Sequence, residues 1–405
     1  MNYNEFLEKL YSTKRFGSTP NLLVVKEILK KFGNPQEKLK FIHIAGTNGK
    51  GSVSNYVASA LISKGCKTGL FTSPYIDRFN ERIKINNIDI DDGELANIGE
   101  EVFNKAEEFK NIIKQFDIIT IIALIYFARN NCDYVVLEAG MGGKNDSTNV
   151  INPVVSVITA VDFDHMEVLG ETINEISYEK SGIIKENTPV CCYPFIYSET
   201  KKIIEETAEK NKSQLIVSNS YKVKAIYKSG SRFLYKDNEY EISMLGPHQI
   251  QNACLAIDVL SVINVEYEYI KQGLKMMKLT GRMEQLSDNL YIDGGHNPNG
   301  ALSIKETVKF HDFINPVFVI SMLERKDIYE YIKVIGINEK LIITKVNEDC
   351  YNPEIVIKNI NSVNCISMEF DDVFSYIEKN NDKTFIFCGS LYQISKIKTK
   401  FYKTR

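Results

Sequence analysis

The stretch 40–52, KFIHIAGTNGKGS, confines this chain more tightly than any other. FIHIAG reads as a short apolar strand, and GSVSNYVASALISKG as a helix closed by Gly65. Between them Gly46, Gly49 and Gly51 let the backbone turn sharply and aim several N–H groups at one point. The following helix adds the positive end of its dipole there. Lys50 supplies a mobile cation, so residues Gly46, Thr47, Asn48, Gly49, Lys50, Gly51 and Ser52 are expected to cradle phosphate. The strict pattern G-x-x-x-x-G-K-[ST] is not met, because Gly51 follows Lys50 and the hydroxyl is displaced to Ser52. A metal accompanying that phosphate must draw ligands from elsewhere. The plainer alternative is a glycine-rich strand–helix turn with an incidental lysine.

Short Ile/Val-rich runs alternate with longer amphipathic runs through most of the chain, the pattern of βα units on a parallel sheet. DYVVLEAG and PVVSVITAVDFDH are near-continuous apolar strands, as expected where both sheet faces are covered. YKVKAIYKSGSRFLYKDNEYEISM instead alternates between turns, which predicts a small antiparallel insert near 218–244. A second alternating series runs through NLYIDGG, PVFVISMLERKD, KLIITKVN and KTFIFCGSLYQISKIK. The fold class expected is α/β: a P-loop-type parallel-sheet domain over 1–284, a linker at 285–288, and a smaller Rossmann-like α/β domain over 289–405. With 44% apolar and 25% charged residues the chain is an ordinary globular one. A net charge of −3 argues against general affinity for nucleic acid or acidic membranes. MNYNEFLEKLYSTKRFG lacks the apolar core of a signal peptide, and no segment approaches about 18 unbroken apolar residues. Eight scattered cysteines without a C-x-x-C pair suit reduced thiols in a cytoplasm.

Glu138 stands at the carboxyl end of an apolar strand beside Gly140, Gly142 and Gly143. Open α/β sheets bind ligands at that edge, so its carboxylate could face the phosphates across a metal ion, or merely cap a turn. ITAVDFDHMEVLG ends a second strand with Asp162, Asp164 and His165, whose imidazole could ligate the same metal. In ETINEISYEKSGIIK, residues Ile173, Ile176 and Lys180 are spaced i, i+3, i+7, which points Lys180 from an apolar helix face. Burial would depress its pKa and leave a neutral amine able to take up carbon dioxide, unless the side chain snorkels to solvent. Ser73, in FTSPYIDRFNERI, offers a hydroxyl to the same edge, though a turn at Pro74 explains that stretch equally well.

GTNGKGS, FTSPYIDRFNERI, LEAGMGGKNDSTN, DFDHMEVLGETINEISYEKSGIIK, GRMEQL, YIDGGHNPNG and FCGSLY occur in this order. The series resembles the folylpolyglutamate synthases and bifunctional dihydrofolate/folylpolyglutamate synthases of the Mur-ligase superfamily, over nearly the whole chain. The resemblance implies an ATP-dependent ligase that phosphorylates a carboxylate of folate or dihydropteroate and couples it to L-glutamate. It implies two magnesium sites, with Ser73, Glu138, His165 and a carbamylated Lys180 as ligands, and Lys50, Glu138, His165 and Lys180 as the catalytic set. ATP contacts are implied for Asn252 and Arg282 from the N-terminal domain, and for Asp293 and His296 from the second. Ser390 is expected to help seat glutamate, or to lie in a plain turn. Arg82, Phe116 and Asp117 are expected toward the folate. A cytoplasmic monomer acting on small molecules, without nucleic acid or membrane, is the family pattern. Two departures bear on the folate preferred: no Trp precedes GRME, and Asp117 stands where the family usually has Glu. A different Mur-type amide ligase, or a nucleotide-dependent binding module without ligase activity, are the competing readings.

Overall fold

A computed structural model of the chain describes residues 1–14 and 22–403. Its first sheet has eight strands: β1 Phe41–Ala45, β2 Thr68–Phe71, β3 Ile83–Ile85, β4 Ile88–Asp89, β5 Tyr134–Glu138, β6 Pro153–Ile158, β7 Val190–Cys192 and β8 Leu215–Val217. They lie in the order β4-β3-β2-β5-β1-β6-β7-β8. The strands from β2 to β8 in that order are parallel, and β3 and β4 add an antiparallel edge. The central strands are apolar on both faces because helices cover both. The helix Gln115–Arg129 is buried along most of its length. The helix Tyr3–Ser12, capped by a reciprocal Asn2–Glu5 pair, adds Phe6 and Leu10 to the same core. Gly99 has no room for a methyl, since a Cβ there would lie 2.4 Å from the Phe6 ring. The chain reverses its direction of travel at β1, with β5 on one side and β6 on the other. Loops after these three strands therefore open at a switch point, where α/β sheets hold ligands.

Two compact units emerge: residues 1–221 with 251–277, and residues 222–250 with 278–405. The second unit contains an antiparallel meander, β9 Lys222–Tyr227, β10 Gly230–Tyr235 and β11 Asn238–Ile242, at the position predicted. It also holds a six-stranded sheet of β12 Glu284–Ser287, β13 Leu290–Ile292, β14 Pro316–Ile320, β15 Lys340–Ile343, β16 Cys365–Ser367 and β17 Thr384–Cys388. The order is β12-β13-β17-β14-β15-β16, parallel apart from β12.

These boundaries depart from 1–284, 285–288 and 289–405 at two points. Residues 285–287 are not linker: they belong to β12, which pairs with β13 across a tight turn. The meander belongs with the C-terminal strands. Leu245 joins their core, and His311 bridges the Gly246 N–H (3.1 Å) and the Tyr227 carbonyl (3.1 Å). Sequence adjacency placed the meander with the wrong neighbour; packing decides. All eight cysteines are free thiols, and among the described residues no helix is long and apolar enough to cross a membrane.

Candidate active site

The glycine loop follows β1 and enters the helix Lys50–Ser63, whose cap is Gly49 at φ +89°. Its backbone is pinned from β6: Thr47 N–H donates to the Ala160 carbonyl (2.7 Å), and Thr47 Oγ1 donates to the Asp162 carbonyl (2.9 Å). The glycines are required by close approach. A Cβ on Gly46 would fall 1.8 Å from Thr159 Oγ1, and one on Gly49 would fall 2.6 Å from Asn252 Oδ1. Lys50 Nζ meanwhile holds its own loop, donating to the Gly46 and Thr47 carbonyls at 3.1 and 3.2 Å.

Lys180 enters from the helix Ile173–Ser181, which buries Ile173, Ile176 and Lys180 as their spacing predicts. Only 3% of the lysine is exposed, and Nζ donates to the Gly46 carbonyl at 2.9 Å. Burial first, and then the Lys50 ammonium, push its pKa down to about 7 against the opposing pull of Asp164 and Asp146. A large fraction is therefore neutral amine near neutral pH.

Glu138, buried at the end of β5, accepts the Ser73 backbone N–H at 3.2 Å. Its Oε2 lies 3.8 Å from where a Gly51 Cβ would stand, so the carboxylate faces the first turn of the phosphate-loop helix. A Cβ at position 51 would stand at ordinary contact distance from that carboxylate. Glycine backbone, a facing carboxylate and a buried lysine thus stand about one loop, a setting suited to an anionic group accompanied by a cation.

His165 is placed differently. It sits in the left-handed region (φ +52°), 38% exposed, with Asp164 and Glu167 carboxylate oxygens at 3.8 and 3.9 Å from its ring nitrogens. Among the described residues no three His, Cys, Asp or Glu side chains converge on a metal position. Thus Ser73 is brought to Glu138 and Lys180 to the loop, whereas the strand-end loop of β6 carries His165 outward.

The segment after Glu138 contains a network that the sequence did not flag. His43, in the middle of β1, is fully buried and pushed down to about 3 by desolvation, so it is neutral. Thr148 Oγ1 donates to Asp146 Oδ1 at 2.5 Å, and therefore accepts from His43 Nε2–H at 2.8 Å. Asp146 also accepts the Met141 N–H (2.9 Å), and Asn149 Nδ2 donates to the Lys144 and Gly182 carbonyls. This chain ties the glycine-rich segment to the Lys180 helix. The signal available was NDSTN, a run of residues that bond nearby backbone.

Of the expected substrate residues, Asp117 is buried by a hydrogen bond from Ser147 and accepts the Lys114 N–H at 2.9 Å, as a helix cap. Phe116 lies against Gly140, where a Cβ would be 2.5 Å from its ring. The Arg82 guanidinium stacks over Tyr75 at 5.0 Å and Phe79 at 5.6 Å.

Arg282, Asp293, His296 and Ser390 all lie in the second unit, Arg282 included, since the chain has already left the first unit at 277. Asp293 ends β13 and accepts the Met283 and Gly295 N–H groups at 2.9 and 2.7 Å. Burial raises its pKa against the pull of Arg282. His296 Nδ1 donates to the Gly294 carbonyl at 3.1 Å, and Ser390 Oγ accepts the Tyr392 N–H at 3.2 Å.

A parallel sheet with a glycine phosphate loop at its switch point and a buried lysine beside it defines a Mur-type ligase domain. A family model, the Mur ligase middle domain, matches residues 44–260. The chain is 32% identical to the dihydrofolate synthase/folylpolyglutamate synthase of Bacillus subtilis, over 98% of this chain and 99% of that protein. The solved folylpolyglutamate synthase of Thermotoga maritima superposes with a TM-score of 0.87 at 32% identity, covering 100% of this chain and 97% of that one. A solved FPGS–AMPPCP–folate complex gives a TM-score of 0.85 at 28% identity over 99% of each chain. The chain belongs to the folylpolyglutamate synthase/dihydrofolate synthase family of the Mur-ligase superfamily.

Proposed function

We propose that this chain is an ATP-dependent ligase that joins L-glutamate to a carboxylate of folate or folylpolyglutamate, with dihydropteroate as a second acceptor. The carrying observation is the convergence of Lys180 and Glu138 on one glycine loop. A carboxylate does not couple with an amine at neutral pH because its oxygen leaves poorly. Transfer of the ATP γ-phosphoryl group to that oxygen gives an acyl phosphate and ADP. The glutamate amine then attacks the acyl carbon, phosphate departs, and the amine proton is lost to solvent.

In this reading the 46–52 backbone N–H groups and Lys50 hold the phosphates, Lys50 exchanging its loop carbonyls for phosphate oxygens. Magnesium, held through Ser73, Glu138, His165 and a carbamate on Lys180, would neutralise charge as two anions approach. The carbamate forms when the neutral Lys180 amine attacks carbon dioxide and releases a proton. Free thiols and a net charge of −3 suit a cytoplasmic enzyme of small molecules; a monomer is the pattern of the family.

The test incubates the protein with ATP, magnesium and glutamate, supplies dihydropteroate or reduced folates in parallel, and weighs the products. Each acceptor should gain one glutamate or more. ATP turnover with no mass added to any acceptor would leave the binding-module reading standing instead.

A further inference from the structure

The geometry points to Tyr193 as a positioning residue for nucleotide: its hydroxyl fixes the Asn252 amide that walls the phosphate loop. This rests on the reading that ATP occupies that loop. Tyr193 follows β7 directly, at the same sheet edge as the loops after β1 and β6, and its N–H donates to the Ile158 carbonyl at 2.9 Å. The strand thus delivers the side chain from the edge where the glycine loop opens. The phenol O–H donates to Asn252 Oδ1 at 2.9 Å.

Asn252 is 2% exposed, and the same Oδ1 stands 2.6 Å from the position a Gly49 Cβ would take. One oxygen therefore meets the phenol and the cap of the phosphate-loop helix together. An amide whose oxygen is held by a donor has its NH2 directed to the other side. Without the phenol the amide can turn over, and a turned amide presents the wrong group to its surroundings. Burial pushes the Tyr193 hydroxyl far above its ordinary range, so it remains an O–H donor at every working pH. Tyr193 touches no reacting atom in this account and acts through Asn252.

The test is a double-mutant cycle on the full-length enzyme, with Tyr193→Phe, Asn252→Ala and the pair, using calorimetric binding of ADP and initial rates. Phe keeps the ring and deletes one hydrogen bond. ADP binding and the KM for ATP should weaken about five- to tenfold in Tyr193→Phe, the loss of one buried hydrogen bond. The kcat and the KM for the folate acceptor should stay within about twofold, and the melting temperature within a few degrees. In the Asn252→Ala background the same change should alter ADP binding by less than about twofold, because its target is gone. Unchanged ADP binding by Tyr193→Phe, equal effects in both backgrounds, or a parallel rise in every KM overturns the role. Failure of the unmutated enzyme to bind ADP at all sinks the nucleotide reading instead, and this inference with it.

Discussion

The carboxyl ends of the two parallel sheets carry similar residues and use them differently. After β5 the Glu138 carboxylate accepts the Ser73 N–H and faces the turn at Gly51, and beside it the buried Lys180 amine meets the Gly46 carbonyl. After β13 and β17 the groups are spent on the chain itself. Asp293 takes two backbone N–H groups with its two oxygens, and Ser390 takes the Tyr392 N–H. A carboxylate that accepts two backbone N–H groups holds its own loop; one that faces a glycine turn is placed toward whatever enters that turn. The first edge thus sets a carboxylate and a buried amine about a glycine turn, whereas the second ties its carboxylate to its own backbone.

Replacing Lys180 breaks this contrast most severely. Lys180→Ala should lower turnover by at least about a thousandfold while circular dichroism stays native, since the charge clamp on the phosphoryl group goes with it. Lys180→Met should also raise the melting temperature by a few degrees, because a buried amine is exchanged for an apolar chain of similar length. Near-normal rates in Lys180→Ala, with no acetate added, would remove the carbamate from the mechanism. Glu138→Gln keeps shape and loses charge, and initial rates at saturating ATP should fall about a hundredfold with little change in melting.

Asp293→Ala tests the other side. It strands one buried and one part-buried N–H group, so urea unfolding should show a loss of about 2 kcal/mol. Stability unchanged by that substitution would erase the distinction between the two strand-end sets. The smallest effect is on pH. Lys180 has a folded value of about 7, below its ordinary 10.5, so protonation gains ground as pH falls through 7 and removes the amine that takes up carbon dioxide. Rates should drop about tenfold from pH 8 to pH 6 as the neutral fraction falls, with bicarbonate restoring part of the loss. On stability the sign is the same: between about 7 and 10.5 the unfolded chain binds the extra proton, so this lysine's penalty shrinks as pH rises.

Much of the first sheet was legible because its signals are local. Continuous apolar runs gave β5 and β6, and the 173–176–180 spacing gave the buried lysine. The meander was legible as three strands from its alternation and turns, but its allegiance was not. That depends on Leu245 and His311, which meet through space. His165 was readable as a residue after a strand, whereas the left-handed turn that seats it was not. The family resemblance supplied a role for Arg282 that no spacing could supply. Tyr193 had no signal at all, because its partner lies 59 residues away.

Sequence alone determined the strand–glycine–helix loop, the α/β class and the lysine on an apolar face, since periodicity and glycine dihedral freedom act over a few residues. Only the tertiary structure decided how far Lys180 is desolvated, which backbone groups each carboxylate meets, and what stands behind Gly49. Those depend on segments far apart in the chain being packed against one another, and both desolvation and hydrogen-bond saturation are properties of that packing rather than of any local run.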